Sequence, residues 1–110
     1  MSELLVEVSR DTYEDEVLKS DLPVLVDFWG PRCAPCLALM PEVEALAKDY
    51  QGKVKFCKVN SKENRRLVVE LKVMALPTFL FYKGGEVVAK LVGQEVTKEN
   101  IVAKLQELAG

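Results

Sequence analysis

The sequence contains no histidine and only three cysteines among its 110 residues. Without imidazole, every catalytic triad or metal site that depends on histidine is excluded. The odd number of cysteines, Cys33, Cys36 and Cys57, is not typical of the disulfide framework of a small secreted domain. Two of the three, Cys33 and Cys36, are closely spaced.

Long apolar runs and an excess of basic residues are also missing. No segment approaches the roughly 20 apolar residues that a membrane span needs. The net charge of −2 argues against nucleic acid or an anionic membrane as a partner, since both favour basic surfaces. The first twenty residues carry acids throughout and do not resemble a signal peptide, so we expect a cytoplasmic location. The densest basic group, Lys62 to Arg66, is interpreted as the solvated start of a helix.

A chain of this length is expected to form one compact domain over residues 1–110. Strand-like and helix-like patterns alternate in the order βαβαβαββα, which predicts an α/β architecture with a mixed sheet and helices on both faces. Strands are predicted at 3–8, 23–29, 53–60, 77–83 and 86–92. Helices are predicted after Asp11, from Ala34 to Tyr50 as one helix bent by Pro41, over 63–72, and from an N-cap at Thr97 to the end of the chain.

The segment GPRCAPC (30–36) follows the 23–29 strand, at the strand end where α/β proteins usually place their chemistry. A zinc ribbon would need four ligands, and the chain offers one cysteine pair and an isolated third cysteine. A structural disulfide across two residues would close a very short loop and add little stability. A thiol at the amino end of a helix, in contrast, is stabilised as the thiolate by unpaired N–H groups. The pattern favours a redox pair, with Cys33 facing solvent and Cys36 shielded one turn further on.

Four segments, VDFWGPRCAPC (26–36), MALPTF (74–79), YKGGEVV (82–88) and LVGQ (91–94), occur in the order and spacing of the thioredoxin family. The chain resembles this family over almost its whole length. The resemblance implies the thioredoxin fold, a central five-stranded mixed β-sheet flanked by four α-helices. It also implies thiol–disulfide exchange on disulfide-containing protein substrates, with a thioredoxin reductase as electron donor and no cofactor in the domain itself. A small acidic domain of this kind is expected to be a monomer.

By this resemblance, Cys33 attacks a disulfide of the partner protein and Cys36 resolves the mixed disulfide. Asp27 interrupts the apolar run VLVDFW, so it either faces the surface or is a buried carboxyl group of raised pKa. The matching aspartate of the family lies behind the second cysteine, which implies that Asp27 exchanges a proton with Cys36. Lys58 matches the family's lysine partner for that aspartate, although a plain solvated lysine fits the sequence equally well.

The segment LPT (76–78) matches the family's cis-proline loop. The match implies a cis peptide bond before Pro77 and a Leu76 backbone beside the cysteines, where it can pair with a substrate strand. The same resemblance implies a docking groove, lined by Trp29, Arg32, Ala34, Pro35, Met74, Ala75, Leu76, Pro77 and Gly93. Met74 and Leu76 also fit ordinary core packing. Cys57 is interpreted as a small inert hydrophobe in the middle of a strand.

The usual family motif WCGPCK reads RCAPCL (32–37) in this chain. Arg32 adds a positive charge next to Cys33, whereas Leu37 removes one and places an apolar side chain off the core stripe of the helix. These two effects oppose each other at the thiolate, and we expect the changes to alter partner choice, including the reductase. A specialised oxidant or isomerase and a non-enzymatic binding module remain as alternatives. The cysteine pair, Asp27 and the Leu76-Pro77 loop together argue against the module.

Overall fold

The structure is a computed structural model of the chain, and it describes residues 4–110. Five strands form one mixed sheet in the spatial order β1-β3-β2-β4-β5. The strands are β1 (Leu5–Glu7), β2 (Val24–Trp29), β3 (Lys55–Asn60), β4 (Thr78–Lys83) and β5 (Glu86–Val92). β1 and β2 run parallel to β3, whereas β4 is antiparallel to both β2 and β5. Residue 3, where the first strand was predicted to begin, lies outside the described residues.

Within the described residues, four helices accompany the sheet, as predicted. They are a short π-helix α1 (Glu14–Leu18), the long helix α2 (Ala34–Asp49), α3 (Arg65–Glu70) and α4 (Lys98–Ala109). Strands and helices follow each other in the predicted order, and a five-stranded mixed sheet flanked by helices is the architecture that the resemblance implied. A single 3-10 turn, Gly93–Glu95, links β5 to α4.

The first helix begins after Asp11, as predicted, but without the predicted side-chain cap. The helix begins at Glu14, and no side chain caps it. Asp11 lies instead in a turn closed by two hydrogen bonds, since the Thr12 N–H donates to Ser9 O at 3.1 Å and the Ser9 N–H donates to Thr12 Oγ1 at 3.0 Å. Because the N-cap of the helix is Tyr13, two residues after Asp11, the Asp11 carboxylate is not at the position from which a capping box forms.

Helix α2 forms where apolar residues recur at three- and four-residue steps. Cys36, Val43, Leu46 and Ala47 are buried along this stripe, and Leu39 packs against the same core cluster. The helix continues through Pro41 as one element, as the sequence predicted.

The core lies on both faces of the sheet. Leu25 of β2 belongs to the cluster under α2 and α4, while Val26 and Phe28 belong to the cluster on the opposite face with α1 and α3. Because side chains alternate along a strand, Asp27 points to the same face as Leu25, under α2 and α4. Among residues 4–110, Asp27 is the one charged side chain that is fully buried.

The last helix is capped as predicted, because Thr97 Oγ1 accepts a hydrogen bond from the Asn100 N–H at 3.1 Å. Its apolar residues Ile101, Leu105 and Leu108 are buried against the sheet. Within residues 4–110, no helix combines the length and apolar character that crossing a membrane requires.

Candidate active site

Cys33 occupies the N-cap of α2, directly after the loop that leaves β2. Its Sγ accepts a hydrogen bond from the Cys36 N–H at 3.2 Å, and its own N–H donates to Gly30 O at 3.1 Å. The first N–H groups of a helix have no partner within the helix, so a sulfur at this position satisfies one of them. Pro35 lies in the first turn, where its missing N–H costs nothing.

The two cysteines differ in their access to solvent. Cys33 is partly exposed, whereas Cys36 is only 1% exposed. Their sulfurs form a disulfide with an S–S distance of 2.09 Å, so the structure shows the oxidised state of the pair. The predicted asymmetry between one reachable and one sheltered sulfur is therefore confirmed. Within the described residues, no three His, Cys, Asp or Glu side chains form a group that could hold a metal ion.

Asp27 is buried on β2 and is only 2% exposed. Among the described residues, its Oδ1 atom has no hydrogen-bond partner. Burial raises the pKa of the Asp27 carboxyl from 3.8 to about 7, and the nearby Lys58 ammonium offsets part of this rise. The alternative of a surface-facing aspartate is wrong. A carboxyl group that titrates near neutral pH lies on the sheet face covered by α2, the helix that carries both cysteines.

Lys58 lies next to Asp27, because the two residues are paired in the parallel register of β2 and β3. The Lys58 Nζ, however, lies 3.9 Å from Glu7 Oε1 and 5.9 Å from the centre of the Trp29 ring. In residues 4–110, no ammonium or guanidinium nitrogen lies within 4.0 Å of the Asp27 carboxylate. Lys58 therefore acts on Asp27 through its charge, and its closest ionic contact is Glu7.

The loop before β4 places Leu76 beside the cysteine pair. The Leu76-Pro77 peptide bond is cis, as predicted. Thr78 Oγ1 donates to Ala75 O at 2.5 Å, which holds the turn of this loop. A Cβ atom at Gly30 would lie 3.2 Å from Leu76 Cδ1, so the Leu76 side chain rests on the backbone just before the CxxC motif.

Two clefts flank Leu76. The first is lined by Leu76, Cys33 and three cationic side chains, Arg32, Lys62 and Arg65. The second lies on the other side and is lined by Pro35, Leu39, Pro77, Gly93 and Val96, again with Leu76. The Gly93 N–H donates to Pro77 O at 2.8 Å and so ties the second cleft to the cis-proline loop.

Not all residues of the predicted groove line these clefts. Ala34, Met74 and Ala75 are exposed at the surface, and Met74 is 90% exposed. Core packing of Met74 is therefore wrong, whereas Leu76 packs partly against the core and also lines both clefts. Trp29 is partly buried beneath Lys58, and its Nε1 has no hydrogen-bond partner among the described residues.

Lys62 and Arg65 were missed as site residues. The sequence interpretation placed them in a solvated helix start, and both are exposed, yet both line the cleft beside Cys33. No local sequence pattern indicates this cleft, because it depends on β2 and β3 being adjacent parallel strands, whose carboxyl ends meet at one edge of the sheet. Cys57 is fully buried on β3, and burial raises the pKa of its thiol to about 12, in agreement with an inert residue.

Comparison with known proteins gives one consistent result. A family model for thioredoxin matches residues 4–107. The thioredoxin of Peptoclostridium acidaminophilum is 46% identical over 110 residues, which is the whole of both chains. The thioredoxin of Pseudomonas aeruginosa is 42% identical over 105 residues, 96% of each chain. Thioredoxin 1 of a Nostoc strain is 44% identical over 87 residues, 79% of this chain and 81% of that protein.

These relatives, together with the bonded CxxC pair, favour a disulfide reductase over the specialised oxidant and the binding module. Members of the family act on disulfide-containing proteins and are recharged by a reductase. The chain belongs to the thioredoxin family and is a thiol–disulfide oxidoreductase of the disulfide-reductase type.

Proposed function

We propose that Cys33 is the attacking thiol and Cys36 the resolving thiol in the reduction of partner-protein disulfides. The observation that carries this assignment is the contrast between a partly exposed sulfur at the N-cap of α2 and a neighbouring sulfur that is only 1% exposed. A thiolate is the nucleophile in disulfide exchange, and the end of a helix with free N–H groups favours that form. The sulfur that a partner can reach is the one placed where its thiolate is stabilised.

The reaction runs in two exchanges. The Cys33 thiolate attacks one sulfur of the substrate disulfide, the substrate S–S bond breaks, and the other substrate sulfur leaves as a thiolate. Cys36, after losing its proton, attacks the Cys33 sulfur and releases the second substrate thiolate. Two electrons have then moved to the substrate, and the Cys33–Cys36 disulfide remains for a thioredoxin reductase to reduce.

Asp27 is proposed to accept the proton of the Cys36 thiol during the second exchange. Its carboxyl shares the sheet face covered by α2, and its pKa of about 7 suits proton transfer near neutral pH. Lys58 is proposed as a positioning residue that limits how far burial raises this pKa. Neither residue contacts the substrate in this scheme.

The substrate segment is proposed to lie across the Leu76 backbone, with Pro77 and Gly93 on one side and Arg32 on the other. The remaining groove residues, Trp29, Ala34, Pro35, Met74 and Ala75, would surround that segment. Leu37 is 46% exposed and adds an apolar side chain near the pair. We propose that Arg32 and Leu37 change the choice of partner. Turnover by a standard thioredoxin reductase should therefore differ between the chain and its Arg32→Trp/Leu37→Lys variant, and equal turnover would contradict this.

Trapping tests the roles of the two cysteines. The Cys36→Ser variant should accumulate a mixed disulfide between Cys33 and a protein such as insulin, while the matched Cys33→Ser variant should accumulate none. Peptide mass mapping identifies the linked cysteine. A mixed disulfide through Cys36 in the Cys33→Ser variant, formed at a similar rate, would overturn the assignment.

We further propose that the chain acts as a monomeric single domain in the cytoplasm. In support, three cysteines do not make the disulfide framework that is typical of a small secreted domain. Light scattering coupled to gel filtration should give a mass near 12.3 kDa. Cell fractionation should place the chain with cytoplasmic markers, and recovery with the membrane or secreted fraction would contradict the location.

A further inference from the structure

Three cationic side chains surround the cleft beside Cys33. Arg32 comes from the loop after β2, Lys62 from the loop after β3, and Arg65 is the first residue of α3. β2 and β3 are adjacent and parallel, so their carboxyl ends bring these segments together at the exposed sulfur. In a chain with a net charge of −2, this local concentration of positive charge runs against the overall balance.

These three charges are uncompensated. Within residues 4–110, neither Arg32, Lys62 nor Arg65 forms an ion pair, whereas Lys19 and Lys55 each contact a carboxylate. Of the residues in the described part of the chain, no acidic one lines the cleft, although Glu63 lies between Lys62 and Arg65 in the sequence. Cations that face one cleft without partners favour a negatively charged occupant.

The cleft on the other side of Leu76 is apolar rather than cationic. Its lining contains no charged side chain and is mostly apolar, with Pro35, Leu39 and Val96 contributing. A substrate segment that crosses Leu76 therefore meets cations on one side and an apolar surface on the other. The residues on the amino side and on the carboxyl side of the reacting disulfide therefore meet different surfaces.

From this asymmetry we propose that the preferred substrates are proteins with acidic residues next to the reacting disulfide, on the side that faces Arg32, Lys62 and Arg65. The inference rests on the proposed attack by Cys33 and specifies which substrates that attack favours. A polypeptide fits better than a small anionic disulfide, because a polypeptide occupies both clefts across Leu76. Exposed ion pairs are individually weak, so we expect their combined effect to be a rate preference of roughly 3- to 10-fold.

Four disulfide-containing peptides test the proposal. They are identical except for the residues beside the disulfide, with glutamate on the amino side, glutamate on the carboxyl side, glutamine on both sides, or lysine on both sides. The rate of reduction by the reduced protein is divided by the rate with dithiothreitol, which removes differences in the intrinsic reactivity of each disulfide. One glutamate peptide should react fastest and the lysine peptide slowest, and the preference should shrink toward 1 as salt is raised, because exposed charges are screened.

Substitutions of the cationic residues test whether the cleft causes the preference for glutamate peptides. Lys62→Gln/Arg65→Gln should reduce the glutamate-to-glutamine rate ratio by roughly 2- to 5-fold, because Arg32 remains in the cleft. The matched control is Arg66→Gln, since Arg66 is exposed on the same helix and does not line the cleft, and its ratio should equal that of the parent chain.

The outcomes separate this inference from the function on which it rests. Reduction of all four peptides with equal normalised rates would overturn the inference and leave disulfide reduction by Cys33 intact. Failure to reduce any peptide would instead overturn the proposed function. If glutathione disulfide depends on Lys62 and Arg65 while the peptides do not, the polypeptide occupant is wrong.

Discussion

Asp27 and Lys58 lie side by side on adjacent parallel strands, yet the lysine ammonium makes its closest ionic contact with Glu7, at 3.9 Å. The register explains the arrangement, because β3 lies between β1 and β2 and pairs Lys58 with Glu7 on one side and Asp27 on the other. Asp27 is thus buried beside a lysine whose charge offsets only part of the rise in its pKa. Within residues 4–110 it forms no ion pair. This relationship keeps its carboxyl group titratable near neutral pH.

The raised pKa of Asp27 predicts a specific pH dependence of stability. The folded chain holds a proton that the unfolded chain releases, so the free energy of unfolding falls as pH rises from about 4 to about 7. A rise in pKa from 3.8 to about 7 corresponds to roughly 4 kcal/mol at about 1.4 kcal/mol per pH unit. Asp27→Asn removes the titration, so its stability relative to the parent should increase over this range and then level off. Urea unfolding of both oxidised proteins from about pH 4 to above pH 7 measures their free energies of unfolding. A difference between the two proteins that does not change with pH would contradict the titration of a buried Asp27.

The electrostatic role of Lys58 is tested by two substitutions with opposite effects. Lys58→Met should raise the pKa of Asp27, because the ammonium lowers it in the parent chain. Glu7→Gln should lower the pKa of Asp27, because it removes a negative charge and frees the ammonium. The pH titration of the Asp27 carboxyl carbon by NMR measures both shifts. Lys104→Met, which breaks a surface pair on α4, is the control, and equal titrations in all four proteins would refute the coupling.

The sequence predicted the chemistry of this site better than its contacts. The CxxC pair, the buried Asp27 and the Thr97 cap follow from local patterns, such as apolar periodicity and the residues at helix starts. The Glu7 contact of Lys58 depends on strand order, which no local pattern specifies. The same is true of the cleft that unites Arg32 with Lys62.

The first helix was predicted, but its π geometry and the absence of a side-chain cap were not. The prediction rested on the spacing of Asp11 and Glu14, whereas a Ser9–Thr12 turn precedes the helix and the Lys19 N–H donates to Glu14 O at 2.9 Å across five residues. Side-chain hydrogen bonds of Ser and Thr offer the backbone an alternative to regular helix capping. Which of the two forms cannot be decided from the spacing of the residues. Tertiary packing of Val17, which is 1% exposed, then holds this segment in place.

Two buried tyrosines form a pair on the face of the sheet opposite Asp27, and their contact predicts an effect on stability. The hydroxyl oxygens of Tyr13 and Tyr82 lie 2.7 Å apart, and both residues are buried. Tyr82→Phe should cost about 1–3 kcal/mol, because it leaves the Tyr13 hydroxyl buried without this partner. Tyr13→Phe/Tyr82→Phe should cost less than the sum of the single changes. Urea unfolding of the four proteins gives the coupling energy, and strict additivity would contradict the pairing.

The hairpin between β4 and β5 depends on two glycines to different extents. Gly84 and Gly85 both have positive φ angles, 61° and 82°, which disfavour any residue with a Cβ atom by roughly 1–2 kcal/mol. A Cβ atom at Gly85 would also lie 2.9 Å from Leu18 O, whereas one at Gly84 would meet nothing within 4 Å. Gly85→Ala should therefore lower the melting temperature more than Gly84→Ala. Equal shifts would show that the Leu18 contact has no effect.

The most direct test of the account is selective alkylation of the reduced protein near neutral pH. The rates of iodoacetamide modification at Cys33 and Cys36 are measured by peptide mass mapping, with buried Cys57 as the internal reference for an inaccessible thiol. We predict that Cys33 reacts on the order of 100-fold faster than Cys36, because its sulfur is accessible and lies among free helix N–H groups. Equal rates at the two residues, or faster modification of Cys36, would contradict the division into an attacking and a resolving thiol.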